Sequence, residues 1–140
     1  MNLIVATDEK TATTAFVVQY LNELGHTVKL AGHLASESQK WHWADIGRAA
    51  AEKVASGDAD QAILFCWSGT GVCMAANKIP KVRAALCWTS EIANLARKWD
   101  DANILCMSLK ETTPGLAKDI IDAWFATKFD EEGLNQVNKV

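Results

Sequence analysis

The segment that decides the fold lies between residues 62 and 78 and reads Ala62-Ile63-Leu64-Phe65-Cys66-Trp67-Ser68-Gly69-Thr70-Gly71-Val72-Cys73-Met74-Ala75-Ala76-Asn77-Lys78. Its first five residues are continuously apolar, which is typical of a strand buried on both faces of a sheet. A glycine-rich turn follows, and the small residues of 72–78 predict a helix that stops before Pro80. A buried strand, a tight turn and a helix form the repeating unit of parallel α/β proteins.

The same unit recurs on both sides of this segment. Short apolar runs predict strands at 3–6, 27–31, 62–66, 84–87 and 104–107, and helical spacing predicts helices at 11–24, 43–55, 72–78, 91–98 and 115–127. Neither linkers nor internal repeats interrupt the pattern. We therefore expect one α/β domain over residues 1–140, a Rossmann-like three-layer α/β/α sandwich with a five-stranded parallel sheet.

Composition excludes several classes of protein. The chain of 140 residues is 49% hydrophobic and carries a net charge of −3 with no basic face, so no nucleic-acid partner is expected. No apolar run reaches the roughly 18 residues of a membrane span, and Met1–Asp8 lacks the basic region of a signal peptide. No C-x-x-C pair predicts a zinc site or a disulfide framework. We expect a cytoplasmic protein with four reduced cysteines: Cys66, Cys73, Cys87 and Cys106.

Ligands of open parallel sheets bind beyond the carboxyl ends of the strands. The residues predicted to lie there are Asp8, Glu9, His33, the 66–71 turn, Trp88, Thr89, Met107 and Ser108. This geometry alone puts Asp8 and Cys66 in the same neighbourhood.

Cys66 ends a buried strand and precedes a glycine turn, where a helix terminus and free amides favour a thiolate. The alternative is that it packs as a small hydrophobic residue, which is our interpretation of the other three cysteines. The turn could offer amides and hydroxyls to an oxyanion or phosphate, from Ser68, Gly69, Thr70 and Gly71. It has neither the lysine of a P-loop nor the full dinucleotide fingerprint, so nucleotide binding is disfavoured.

Two further interpretations concern the neighbours of Cys66. Asp8 either orients a hydroxyl and assists proton transfer, or it caps the following helix; the sequence leaves both open. Trp67 is interpreted as a pocket wall. The other tryptophans considered are predicted to be core or subunit contacts: Trp41, Trp43, Trp88 and Trp124. No two histidines are spaced as a metal pair.

The 63–78 segment resembles the Cys-Gly-Thr-Gly…Ala-Ala-Asn-Lys segment of the ribose-5-phosphate isomerase B / galactose-6-phosphate isomerase family. Residues 82–87 and 101–105 resemble further stretches of that family, and Asp8 falls at its first Asp. The resemblance implies a homodimer with active sites shared between subunits, and interconversion of aldose and ketose sugar phosphates without a metal or cofactor. It implies that Cys66 is the base, that Ser68 replaces the turn threonine, and that Gly69 and Gly71 are amide donors.

The sequence departs from this family at the substrate. Glu9 stands where the family has a histidine, Trp99 where it has the ring-opening histidine, and Asp100 where it has an asparagine. The C-terminal stretch 133–140 contains no arginine for a phosphate. Carboxylates repel a dianionic phosphate, and an indole cannot exchange a proton for ring opening. We expect a substrate other than ribose 5-phosphate, open-chain or unphosphorylated, with Trp67 and Trp99 stacking on the sugar.

Three functions remain from the sequence. The first is a metal-independent aldose–ketose isomerase of divergent specificity. The second is a non-catalytic or partner-dependent subunit, since two homologous chains act together in galactose-6-phosphate isomerases. The third is another proton transfer beside a carbonyl, which the sequence does not distinguish from the first.

Overall fold

Strands and helices alternate along the chain as the sequence predicts, in a computed structural model that describes all residues from Met1 to Val140. The strands are β1 (Asn2–Thr7), β2 (Thr27–Gly32), β3 (Gln61–Cys66), β4 (Ala84–Leu86) and β5 (Ile104–Ser108). The helices are α1 (Ala12–Glu23), α2 (Trp43–Ser56), α3 (Thr70–Ala76), α4 (Ser90–Asp100), α5 (Pro114–Ala126) and α6 (Leu134–Val137), with a 3₁₀ turn at Glu131–Gly133.

The five strands form one parallel sheet in the order β2-β1-β3-β5-β4. Alternate residues of each strand enter different cores. Ile63 and Phe65 pack with α1, α4 and α5 on one face, whereas Leu64 and Cys66 pack with α2 and α3 on the other. This confirms the three-layer sandwich, and it explains why the central strand is apolar at every position.

The strand order reverses between β1 and β3. The chain steps outward from β1 to β2 and then crosses back over β1 to form β3. The connecting helices change face at this point, because α1 covers one side of the sheet and α2 the other. Such a switch leaves a crevice beyond the carboxyl ends of the two strands, and ligands of open α/β sheets bind there.

The helix after the glycine turn is displaced by two residues from its prediction. It covers Thr70–Ala76 instead of 72–78. It begins early because Gly69 adopts the left-handed conformation and caps it. It ends early because the Asn77 side chain bonds to the backbone of Ala84, donating to its carbonyl and accepting from its N–H, each at 2.8 Å.

The C-terminal tail folds back onto α4. The N–H of Asp130 donates to the carbonyl of Lys98 at 2.8 Å, and Gly133 lies against the carbonyl of Trp99. The longest helix, α2, has 14 residues, and none of the helices has both the length and the apolar character needed to span a bilayer.

Candidate active site

One row of residues crosses the carboxyl edge of the sheet. The strand registers, continued by one or two residues, give the order of this row. It runs His33, Asp8, Cys66, Ser108, Trp88, and each residue lies beside the next. The pairs that set this row are Thr7↔Gly32, Thr7↔Phe65, Cys66↔Ser108 and Leu86↔Cys106. Adjacent strands lie about 4.8 Å apart, so the sheet agrees with the prediction that Asp8 and Cys66 lie in the same neighbourhood, and it makes them direct neighbours.

The turn after Cys66 is held closely by backbone contacts. The Cys66 carbonyl accepts hydrogen bonds from Gly69 N at 3.2 Å and from Leu109 N at 3.0 Å. Gly69 has a φ of +77°, and a Cβ there would lie 2.9 Å from the carbonyl carbon of Met107. The Cys66 side chain is almost fully buried at 4% exposure. Glycine at position 69 is therefore a requirement of both conformation and space.

Trp43 covers the other glycine of the turn. A Cβ on Gly71 would lie 2.7 Å from Cδ2 of the Trp43 ring. The tryptophan is 44% exposed, so it is not a core residue, and it forms part of the rim of the turn. The alternative for Trp43, a contact with another subunit, stays a prediction. Sequence reasoning missed this contact because the two residues are far apart along the chain.

Four backbone N–H groups of this region donate to no protein acceptor, those of Trp67, Ser68, Gly71 and Val72. The Gly69 N–H, which the sequence suggested as a donor, is instead bonded to the Cys66 carbonyl. The Thr70 N–H points to Ser68 Oγ at 3.4 Å, and the Ser68 and Thr70 hydroxyls are 2.6 Å apart. Free N–H groups beside a strand end are suited to hold an anion or a developing oxyanion.

Asp8 is not the cap of the first helix. Thr11 takes that position, where it accepts from Thr14 N while the Thr14 hydroxyl accepts from Thr11 N. This removes the structural alternative for Asp8. Burial raises the pKa of its carboxyl and the Glu9 charge adds to the rise, whereas a backbone hydrogen bond and His33 act in the opposite direction.

The cations nearest this edge are each paired with a carboxylate. Lys10 Nζ lies 2.9 Å from Glu37, and Lys110 Nζ lies 3.4 Å from Glu111. Lys110 was missed in the sequence, although its position two residues after a strand end could have indicated it. No group of three or more His, Cys, Asp or Glu side chains is arranged to hold a metal ion.

The other cysteines differ in character. Burial raises the pKa of Cys87 to about 12, and burial also raises the pKa of Cys106 well above its ordinary value. These two thiols are core residues, as predicted. Cys73 is only partly buried, and hydrogen bonding with the Cys106 thiol lowers its pKa. It borders an open cavity of about 420 Å³ beside α3.

The tryptophans are divided between core and surface. Trp124 is buried and donates to Gln61 Oε1 at 2.7 Å, and Trp41 is half-buried and donates to Ser36 O at 2.7 Å. Trp88 is 57% exposed at the carboxyl edge, so it is not a core residue, and its role as a subunit contact stays a prediction. Trp67 projects from the turn with 60% exposure. Exposed indole rings at this edge offer flat apolar surface.

Trp99 and Asp100 do not meet Cys66 within one chain. They end α4, just before β5 begins, and so lie at the amino edge of the sheet. That edge is separated from Cys66 by the length of a strand, roughly 15 Å. The two residues line a groove of about 670 Å³ together with Gln136, Val137 and Val140 of the tail. Any role beside Cys66 therefore requires a second chain.

Fold and site together define a class of protein: an α/β enzyme with a cysteine, a carboxylate and unpaired amides at the switch point of a parallel sheet. The sequence profile of the Ribose/Galactose Isomerase family matches residues 3–140. The chain belongs to this family of sugar-phosphate isomerases, which are aldose–ketose isomerases.

Similar proteins agree with this assignment. The chain is 36% identical over 120 residues to galactose-6-phosphate isomerase subunit LacB of Clostridium acetobutylicum, covering 86% of this chain and 68% of that protein. It is 35% identical over 115 residues to ribose-5-phosphate isomerase B of Escherichia coli, covering 81% of this chain and 75% of that protein. D-erythrulose-4-phosphate isomerase of Pectobacterium atrosepticum is 35% identical over 89 residues, covering 64% and 59%.

The solved structures match over almost their whole length. Ribose-5-phosphate isomerase B of Clostridium thermocellum superposes with a TM-score of 0.92 at 31% identity, covering 99% of this chain and 94% of that one. The ribose 5-phosphate isomerase of Thermotoga maritima superposes with a TM-score of 0.90 at 29% identity, covering 99% of this chain and 95% of that one.

Proposed function

We propose that this chain is an aldose–ketose isomerase in which Cys66 is the base. The thiolate removes the proton from C2 of an open-chain aldose, and the electron pair forms the C1–C2 double bond as the carbonyl oxygen becomes an oxyanion. The hydroxyl proton passes from O2 to O1 with Asp8 as the nearest carboxyl group. The Cys66 thiol then returns its proton to C1, which leaves a ketose.

The observation that carries this proposal is the position of Cys66. It lies at the switch point, beside Asp8 and next to a turn whose Ser68, Gly71 and Val72 N–H groups lack protein acceptors. An enediolate needs such donors where its charge develops, and fixed amides supply them without reorganisation. Ser68 and Thr70 add two hydroxyls at the same turn.

Cys73 is the rival thiol, and it provides the matched control. Cys87 and Cys106 are protonated at neutral pH because burial raises their pKa values, whereas Cys73 has a lowered pKa and reaches a surface cavity. The Cys66→Ala and Cys73→Ala variants remove the same atom from two positions of one turn-and-helix unit, Cys66 before the turn and Cys73 in the middle of α3. Base catalysis by Cys66 predicts loss of activity in the first variant only.

The test is solvent deuterium exchange at the carbon next to the carbonyl, followed by NMR in D₂O. Tetroses, pentoses and hexoses are each offered with and without a phosphate. Exchange in the wild type and in Cys73→Ala, but not in Cys66→Ala, is the expected result. Exchange that persists in Cys66→Ala would refute Cys66 as the base, and exchange lost only in Cys73→Ala would move the chemistry to that thiol.

The charges at the carboxyl edge favour a substrate other than ribose 5-phosphate. Asp8 and Glu9 carry negative charge there, and Lys10 and Lys110 are already paired with Glu37 and Glu111. A dianionic phosphate gains little attraction from such a site. The exposed ring of Trp67 suits stacking on a sugar face. We therefore infer a short open-chain or unphosphorylated sugar, which the sugar panel tests directly.

We further propose a cytoplasmic homodimer with shared sites, in which Trp99 and Asp100 of one subunit complete the Cys66 site of the other. The separation of the two groups within one chain favours this arrangement. Mixed Cys66→Ala and Trp99→Ala chains should recover about a quarter of the wild-type rate, because half of randomly paired dimers are hybrids with one intact site. No recovery would contradict shared sites.

The second candidate function is that of a partner-dependent or non-catalytic sugar-binding subunit. It is favoured by the separation of Trp99 and Asp100 from Cys66 within one chain. It is also favoured because Lys10 and Lys110 are both paired with carboxylates, so neither is free to bind a phosphate. The relative in Clostridium acetobutylicum is itself named as a subunit. Exchange that appears only after a homologous second chain is added supports this function, and a fully active homodimer excludes it.

A further inference from the structure

Ser108 bonds directly to the turn that carries the proposed chemistry. It is the last residue of β5, pairs with Cys66 in the sheet and is only 9% exposed. Its hydroxyl donates to the carbonyl of Trp67 at 2.8 Å and accepts from the N–H of Glu111 at 3.1 Å. A buried hydroxyl with both a donor and an acceptor role has one fixed orientation.

The Trp67 carbonyl is held from two sides. Besides the Ser108 hydroxyl it accepts from the N–H of Lys110 at 3.1 Å, so both of its lone pairs are occupied. The preceding carbonyl, that of Cys66, accepts from the N–H of Leu109 at 3.0 Å. The segment after β5 thus fixes two successive peptides of the turn.

The peptide that Ser108 holds ends in the Ser68 N–H. A trans peptide is planar, and its C=O and N–H point in opposite directions. Because the carbonyl of Trp67 points to the segment after β5, the N–H of Ser68 points away from it. This N–H has no protein acceptor and is free to meet a ligand.

We propose that Ser108 is a positioning residue: its hydroxyl fixes the Trp67–Ser68 peptide so that the Ser68 N–H stabilises the oxyanion of the enediolate. The proposal rests on the proposed isomerase function. Removing one donor of an oxyanion site typically costs about 100-fold to 1,000-fold in kcat, and a donor that is present but poorly aligned costs less. The oxyanion forms only as the reaction proceeds, so the effect falls on kcat rather than on KM.

Ser108→Ala and Ser108→Thr separate this role from a purely structural one. The alanine variant loses the hydroxyl, whereas threonine keeps it and suits the end of a strand. We expect kcat for deuterium exchange to fall roughly 10-fold to 100-fold in Ser108→Ala, with KM within about 2-fold and kcat restored in Ser108→Thr. An unchanged kcat in Ser108→Ala overturns the proposal, as does an equal loss in both variants.

A second measurement needs no activity. The ¹³C resonance of the Trp67 carbonyl reports its hydrogen bonds, and it should move in Ser108→Ala and return in Ser108→Thr. A resonance that does not move in the alanine variant overturns the proposed positioning, whatever the rates. Failure of wild-type exchange on every sugar, by contrast, overturns the proposed function, and the carbonyl resonance still decides whether Ser108 orients this peptide.

Discussion

Gly69→Ala tests whether the turn is fixed by space as well as by backbone conformation. Gly69 has a φ of +77°, which costs a residue with a Cβ about 1–2 kcal/mol. The new Cβ would also lie 2.6 Å from Leu86 Cδ1, 2.9 Å from Met107 C and 3.0 Å from Met107 O. The leucine methyl can move, but the Met107 backbone belongs to the β3–β5 ladder and cannot. Overpacking of this kind costs about 1–3 kcal/mol more.

Gly25→Ala is the matched control. Gly25 has a φ of +85° and nothing within 4 Å of a Cβ, so it carries the conformational cost alone. Both variants also stiffen the unfolded chain equally, and that contribution cancels in the comparison. The free energy of unfolding should therefore be about 1–3 kcal/mol lower in Gly69→Ala than in Gly25→Ala.

The assay is thermal unfolding followed by circular dichroism. For a chain of this length the entropy of unfolding is about 0.3 kcal/mol per degree, so the extra cost corresponds to a Tm about 3–10 °C below that of Gly25→Ala. The deuterium exchange rate should fall as well, because relief of the clash moves the turn that carries the free amides. Equal Tm values for the two variants would refute the claim that Met107 confines this turn.

Two more predictions concern single side chains. Burial raises the pKa of Asp8, so the ionised carboxylate is less stable in the folded chain than in the unfolded one. The contribution of Asp8 to stability is therefore complete below the ordinary carboxyl pKa. It is lost as the pH rises through the raised pKa of the folded state. Asp8→Asn should thus raise the Tm at neutral pH and give no gain in acid below the ordinary carboxyl pKa, and a lower Tm at neutral pH would contradict this. Lys81 has a φ of +70°, so Lys81→Gly should stabilise the fold by about 0.5–1 kcal/mol in denaturant titrations. Lys81→Ala keeps the Cβ and the strain, and equal stabilities of the two Lys81 variants would show that no strain is stored there.

The pattern of apolar runs was enough to predict every strand and the layer architecture. A strand buried on both faces needs apolar residues throughout, and 62–66 meets this requirement without any knowledge of its neighbours. Parallel strands bring their carboxyl ends to one edge, so the location of Asp8 and Cys66 at the same edge of the sheet also followed. The sequence did not predict the bounds of α3, because its end depends on hydrogen bonds between the Asn77 side chain and Ala84 in the next strand.

The details of the candidate site came from contacts between distant parts of the chain. The bond from Ser108 to Trp67 spans 41 residues, and the Trp43 ring reaches Gly71 from another helix. Which amides stay free depends on which carbonyls the turn contacts. This excluded the Gly69 N–H and left those of Trp67, Ser68, Gly71 and Val72 free.

The sequence by itself determined the local conformation, the alternation of strands and helices, and the edge of the sheet where chemistry is expected. These features depend on the spacing of apolar residues and on the backbone conformation of glycine, which both act over a few residues. Tertiary structure alone decided the strand order that puts Asp8 and Ser108 on either side of Cys66, and the position of Trp99 at the far edge. Strand pairing and side-chain packing join segments that no local pattern connects, and so they are fixed only when the whole chain folds.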